Sequence, residues 1–240
     1  MTPSSRRASF VVWPPSGSAL GVGSWLREVR EMARVSLSPP PFPDNAMRGS
    51  GEPVIVLPGF CSPDISTARL RAFLLRQGFA VISWQGGLNI GPREATLAQI
   101  DAQIVALAES RARKVSLVGI SLGGTLAREL AKRRPDCVAR VITLVSPIHL
   151  PIATPLAPLA SIAALFWDRA AHGILDSLAA PPPVPLTAIV SPVDGVVEWR
   201  ACVPAPSAQV ETIMIRGAHM TMGSNPEAQR VIAARLAGRF

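Results

Sequence analysis

Residues 115–124 read Val-Ser-Leu-Val-Gly-Ile-Ser-Leu-Gly-Gly, and they decide the fold. Val115 to Val118 is an apolar run interrupted only by Ser116, the composition of a strand buried on both faces of a parallel sheet. Leu122 to Arg134 predicts a helix directly behind it. The join is Gly119-Ile120-Ser121-Leu122-Gly123, backed by Gly124. A serine at the tip of so tight a turn takes a strained backbone conformation. Its neighbours must then lack side chains that would collide, which is what glycine supplies.

The same rhythm extends outward. Upstream, Val54 to Leu57 predicts a strand, Ile65 to Gln77 a helix ending at Gly78, Phe79 to Trp84 a strand and Ala95 to Ala112 a long amphipathic helix. Downstream, Val138 to Val145, Leu186 to Val190 and Val210 to Ile215 predict strands, and Pro226 to Gly238 a closing helix. Strands alternating with helices predict an α/β chain with a mostly parallel sheet of about six clear strands and helices on both faces. We divide it into an N-terminal arm, residues 1–52, and a main domain, residues 53–240. The arm is rich in Ser, Pro and Gly except for one helix, Ser24 to Leu37, with Leu26, Val29, Ala33 and Leu37 on the packed face and Glu28 and Glu31 outward. Residues 147–183 lose the rhythm and form an Ala/Pro-rich segment, either a cap over an apolar pocket or a plain connection between strands.

Composition narrows the function. Of 240 residues 48% are hydrophobic, enough for one large core and too apolar for disorder. The net charge of +8 raises nucleic acid as a partner. However, the basic residues are almost all arginines spread along the chain, and no basic stripe is interleaved with aromatics, so we expect none. The apolar stretch Ile148 to Trp167 is broken by His149, Pro151, Pro155 and Pro158, which excludes a spanning helix there. Ser5-Arg6-Arg7 before Phe10-Val11-Val12 has the start of a twin-arginine leader, but Trp13-Pro14-Pro15 stops its apolar run, so export is disfavoured. Three widely spaced cysteines and three histidines without paired spacing argue against disulfides and a structural metal. A reduced, cytoplasmic protein is the expectation.

The chemistry starts at Ser121. At the N-terminus of a helix, the Leu122 N–H and the helix dipole are placed to stabilise an oxyanion. A nucleophilic serine needs a base and the base an orienting acid, in the chain order Ser, acid, His for this strand–turn–helix context. His219, in Arg216-Gly217-Ala218-His219, lies just after the last predicted strand. Asp194, in Ser191-Pro192-Val193-Asp194-Gly195-Val196-Val197, ends the strand before it, with Glu198 as a fall-back acid. All three would emerge at the carboxyl ends of parallel strands, where open α/β sheets place their sites. His149 and His172 lack a carboxylate partner in that order and read as structural. The second oxyanion donor is expected in the first strand's loop, Leu57-Pro58-Gly59-Phe60-Cys61, from the N–H of Phe60. Cys61 reads as a small buried hydrophobe.

These residues (Val54 to Phe60, Gly119 to Gly124, Ser191 to Val197 and Arg216 to His219) resemble those of small bacterial esterase/lipase-like members of the α/β-hydrolase superfamily, over roughly residues 53–240. The resemblance implies a serine hydrolase for carboxylic esters, with Ser121 as nucleophile, His219 as base, Asp194 as its partner, Phe60 and Leu122 as oxyanion donors, a small apolar acyl ester as substrate, and no cofactor or metal. Two positions depart from many lipases: Pro58-Gly59 stands where they have His-Gly, and Ile120 where they carry a histidine or another polar residue. Both leave the substrate open. An acyltransferase or thioesterase would use the same residues, and a catalytically silent scaffold is the reading from another class. A haloalkane-dehalogenase type is disfavoured, since it needs a carboxylate in place of Ser121.

Overall fold

The structure is a computed structural model, and it describes residues 22–149, 173–174 and 177–239. Residues 1–21 and most of the 147–183 segment, with the cap expected there and His172, lie outside the described residues. Among the described residues six strands form one sheet: β1 (Pro53–Leu57), β2 (Ala80–Ser83), β3 (Val115–Ile120), β4 (Val138–Leu144), β5 (Leu186–Val190) and β6 (Val210–Met214). Every pairing is parallel and the spatial order is β2-β1-β3-β4-β5-β6. The helices among the described residues include α1 (Val22–Leu37), α2 (Ala68–Arg76), α3 (Glu94–Arg111), α4 (Leu122–Arg133) and α5 (Pro226–Leu236), with 3-10 turns at Asp64–Thr67, Trp199–Cys202 and His219–Ser224.

The apolar runs fill both faces of the sheet, because side chains alternate along a strand. Val54 and Val56 join Leu70, Phe73, Leu74, Ile232 and Leu236 on the α2/α5 face. Ile55 and Leu57 join Leu97, Ile100, Ile104, Leu126 and Leu130 on the α3/α4 face. The helical spacing of Leu70, Phe73 and Leu74 on α2, and of Leu97, Ile100 and Ile104 on α3, puts them on the buried faces. The helix expected from Ile65 begins instead as the 3-10 turn Asp64–Thr67 and becomes α-helical at Ala68. Among the described residues no helix is long and apolar enough to cross a membrane.

One expectation is corrected. The arm helix exists, but the face assigned to it is wrong. Leu26, Val29, Met32 and Leu37 are exposed, whereas Glu28 is fully buried. The helix carries apolar residues on more than one side, so spacing alone did not fix its orientation. Trp25 packs against a cluster formed by Val190, Val196, Val197, Trp199 and Cys202. Packing of that partly buried indole and full burial of the Glu28 carboxylate turn the Leu26/Val29 stripe outward. Beyond α1, Phe42 packs against Phe73 of α2, with ring centroids 5.7 Å apart and planes tilted by 48°.

The strand order reverses between β1 and β3: the chain leaves β1 for β2 on one side and returns to β3 on the other. The loops after β1 and β3 therefore diverge over a crevice at the carboxyl edge, the usual ligand position in open α/β sheets. The register is one straight row, Leu57, Gly119, Thr143, Ala188 and Thr212. Segments that follow this row emerge side by side.

Candidate active site

Ser121 stands two residues beyond that row with φ 51° and ψ −123°, outside the ordinary regions for a side-chain-bearing residue. The sequence builds the turn around it by removing side chains. A Cβ on Gly119 would meet the Gly123 carbonyl oxygen at 2.3 Å, and one on Gly124 the Ser146 Oγ at 2.0 Å. Ser121 N–H donates to the Leu144 carbonyl at 2.8 Å, and its own carbonyl accepts from Gly124 N at 2.9 Å. The serine is thus anchored to β4 on one side and starts α4 on the other, with its residue partly exposed.

Across the switch point lies the β1 loop. A Cβ on Gly59 would stand 3.4 Å from Ser121 Cβ, so loop and serine are neighbours. The N–H groups of Phe60 and Leu122 donate to no protein acceptor among the described residues. Asn89, fully buried, braces this loop: its Nδ2 donates to the Pro58 carbonyl at 2.8 Å, and its carbonyl accepts from Cys61 N at 2.7 Å. Cys61 holds φ 50° there, and burial pushes its thiol pKa up.

The acid and the histidine follow β5 and β6. His219 Nδ1 and Asp194 Oδ2 are 2.7 Å apart, and the two side chains are 7% and 1% exposed. The other carboxylate oxygen, Oδ1, accepts from Val196 N and Val197 N, both at 2.8 Å. Three hydrogen bonds fix this buried group, as a buried charge requires. Ser191 Oγ joins the two turns by donating to the Gly217 carbonyl at 2.5 Å. The thiol of Cys202 is pushed well up, first by burial and then by the negative charges of Asp194 and Glu198.

The structure thus brings Asp194 to His219 and leaves the fall-back acid elsewhere, since Glu198 pairs with Arg200 at 2.9 Å. His149 is exposed and its Nε2 meets the Val203 carbonyl at 3.0 Å. The turn carrying His219 packs beside the serine turn, for a Cβ on Gly223 would lie 3.1 Å from Ile120 Cδ1. Ser121 Oγ makes no hydrogen bond among the described residues. The described residues hold no group of three or more His, Cys, Asp or Glu suited to a metal ion.

Two residues of this region escaped sequence reasoning. Glu28 accepts from Gly195 N, His219 N and Met220 N at 2.8, 2.9 and 3.1 Å. Asn89 lies in a Gly-rich loop whose sequence gave no sign of a brace. For Glu28 the only available signal was an acidic residue next to a large aromatic, Trp25, one turn away on the same helix.

No protein-family model and no curated protein sequence matches the chain. Solved structures do. A metagenome-derived lipolytic enzyme of the LipS and LipT pair aligns over 81% of this chain and 97% of its own, with 18% identity and a TM-score of 0.57. The carboxylesterase CesB of Bacillus subtilis covers 91% and 100% at 13% identity and 0.56. A thioesterase domain of the curacin biosynthetic pathway covers 80% and 92% at 18% identity and 0.50. At these identities the likeness is one of architecture. With the parallel sheet, its strand order and its strand-carboxyl-end turns, it shows that this chain has the α/β-hydrolase fold.

Proposed function

We propose that the protein is a serine hydrolase that cleaves small apolar carboxylic esters through an acyl-enzyme. The observation that carries this reading is the buried Asp194–His219 hydrogen bond of 2.7 Å beside the strained Ser121 turn. A buried acid that accepts from one imidazole nitrogen leaves the other free to take a proton, and it stabilises the imidazolium that forms. Ser121 Oγ attacks the acyl carbon while His219 Nε2 takes its proton. The N–H groups of Phe60 and Leu122, which have no protein acceptor among the described residues, receive the oxyanion of the tetrahedral intermediate. Collapse expels the alcohol, which takes the proton from His219. Water then repeats the sequence on the acyl-enzyme and releases the acid.

Esterases and lipases among the structures of like fold support an ester as substrate. The thioesterase domain among them keeps a thioester as the second reading. The same residues would serve either, because the leaving group is not written in the acid–base pair.

The test is labelling of the folded protein with a fluorophosphonate, read by intact mass and peptide mapping. One adduct on Ser121, lost in Ser121→Ala and His219→Ala, is the expected result. An unlabelled Ser121 in well-folded protein overturns the reading. Matched oxygen ester and thioester substrates then separate the two leaving groups.

A further inference from the structure

The carboxylate of Glu28 is the most unusual group near the site. It comes from the arm helix, is fully buried, and its described partners are backbone N–H groups alone. Oε1 accepts from both Gly195 N at 2.8 Å and His219 N at 2.9 Å, and Oε2 accepts from Met220 N at 3.1 Å. Gly195 follows Asp194 in sequence, so one oxygen atom is bonded to both turns that supply the acid–base pair. The bonds close a ring: from Asp194 to the Gly195 N–H, through Oε1 to the His219 N–H, and back from the His219 imidazole to Asp194.

We infer that Glu28 is a positioning residue, whose carboxylate clasps the Asp194 and His219 turns and so fixes the imidazole against its acid. Three further features point the same way. His219 and Met220 open a 3-10 turn, so their N–H groups lack partners within it, and Glu28 caps the turn from another element. Gly195 is bare because a Cβ there would stand 2.7 Å from Glu28 Cγ and 2.6 Å from the Ser24 carbonyl oxygen. The neighbouring Arg27 guanidinium donates to the Val193 carbonyl, one residue before Asp194. Helix α1 thus grips the acid turn at two points and the histidine turn at two.

The kinetic consequence rests on the serine hydrolase reading, whereas the structural clasp does not. Glu28→Ala strands three N–H groups and frees both turns. Misplacing a catalytic group by about 1 Å costs on the order of 10²-fold in rate. In Glu28→Ala, kcat therefore falls by about 10²-fold with KM within a factor of two, because the clasp acts on the Asp194 and His219 turns. Glu28→Gln keeps an oxygen able to accept from Gly195 and His219, and it recovers kcat to within about tenfold of wild type. Glu28→Asp keeps the charge but is one methylene too short to reach both turns, so it stays below Gln. A positioning role requires this order, and a role through charge alone requires the opposite.

The independent readout is the downfield proton resonance of His219 Nδ1, assigned by its loss in His219→Ala. It persists in Glu28→Gln and is lost or broadened in Glu28→Asp and Glu28→Ala. A Glu28→Ala protein that folds with unchanged kcat and resonance overturns the inference. If that variant does not fold, Asp at or above Gln in kcat and resonance overturns it equally. Should wild-type Ser121 fail to label, the hydrolase reading falls, while the resonance still decides the clasp.

Discussion

Replacing Gly123 by alanine tests the serine turn at its tightest point. Gly123 is the second residue of α4, and a Cβ there would lie 2.4 Å from the Leu57 carbonyl oxygen and 2.5 Å from that of Pro58. Ordinary contact begins at 3.4 Å, so the new methyl is about 1 Å too close, and both obstacles are backbone. Alanine returns up to about 1 kcal/mol of helix propensity. Overpacking opposes it by about 1–3 kcal/mol, and the rigid obstacle places this case at the upper end. The expected net is a loss of about 1–2 kcal/mol. The larger effect falls on activity: the β1 loop must retreat by about 1 Å, moving the Phe60 N–H away from that of Leu122. A shift of that size lowers kcat by roughly 10²-fold. Gly59→Ala is the control. Its Cβ would meet Ser121 Cβ at 3.4 Å and the Ile120 carbonyl oxygen at 3.5 Å, both ordinary contacts, so stability should stay within about 1 kcal/mol of wild type. Urea unfolding followed by tryptophan fluorescence gives the stabilities, and a short-chain p-nitrophenyl ester gives kcat. A Gly123→Ala protein with wild-type stability and kcat within threefold would refute the argument.

Asp194→Asn keeps an oxygen for Val196 N and Val197 N but presents an amide to His219 Nδ1, which forces the wrong tautomer. Ester turnover should fall by about 10⁴-fold in a protein that still unfolds cooperatively, and a drop below tenfold would remove Asp194 as orienter. Asn225 caps α5 by accepting from Glu227 N at 2.9 Å and Ala228 N at 3.2 Å. Asn225→Ala should therefore cost about 1 kcal/mol in urea unfolding, against no change if the cap is idle. Burial raises the thiol pKa of Cys61 and, more strongly, that of Cys202. Iodoacetamide should modify Cys61 slowly at neutral pH and faster as pH rises, and Cys202 only on unfolding; rapid modification of Cys202 in folded protein would contradict its burial.

The main domain was legible because its signals are local. Val54 to Leu57 and Val115 to Val118 are apolar on both faces, and only a sheet covered on both sides accepts such runs. The Gly119–Gly124 pattern carried its own steric reason, and the chain order singled out Asp194 and His219, which the structure brings within 2.7 Å of each other. Glu28 was misread for the opposite cause. Its partners lie on turns at residues 195, 219 and 220, and no periodicity within α1 reports them. A carboxylate on an amphipathic helix reads as solvated until the N–H groups that neutralise its burial are in view. The contact of Asp194, and not of Glu198, with His219 is similarly nonlocal: the ring meets Asp194 Oδ2 while Arg200 pairs with Glu198.

The hydrogen bond between Glu28 and His219 joins residues 191 positions apart. So long a loop is entropically slow to close, and such contacts form after local ones. Helix α1 is therefore synthesised early and keeps an unclasped carboxylate while all six strands follow it off the ribosome. The clasp can form only after residue 220 has been made, so a shorter nascent chain holds the serine turn before the Asp194 and His219 turns are joined. The dependence also runs in reverse. Peeling α1 away would disarm the histidine turn while leaving the six-stranded sheet, which does not include the helix, hydrogen-bonded as before.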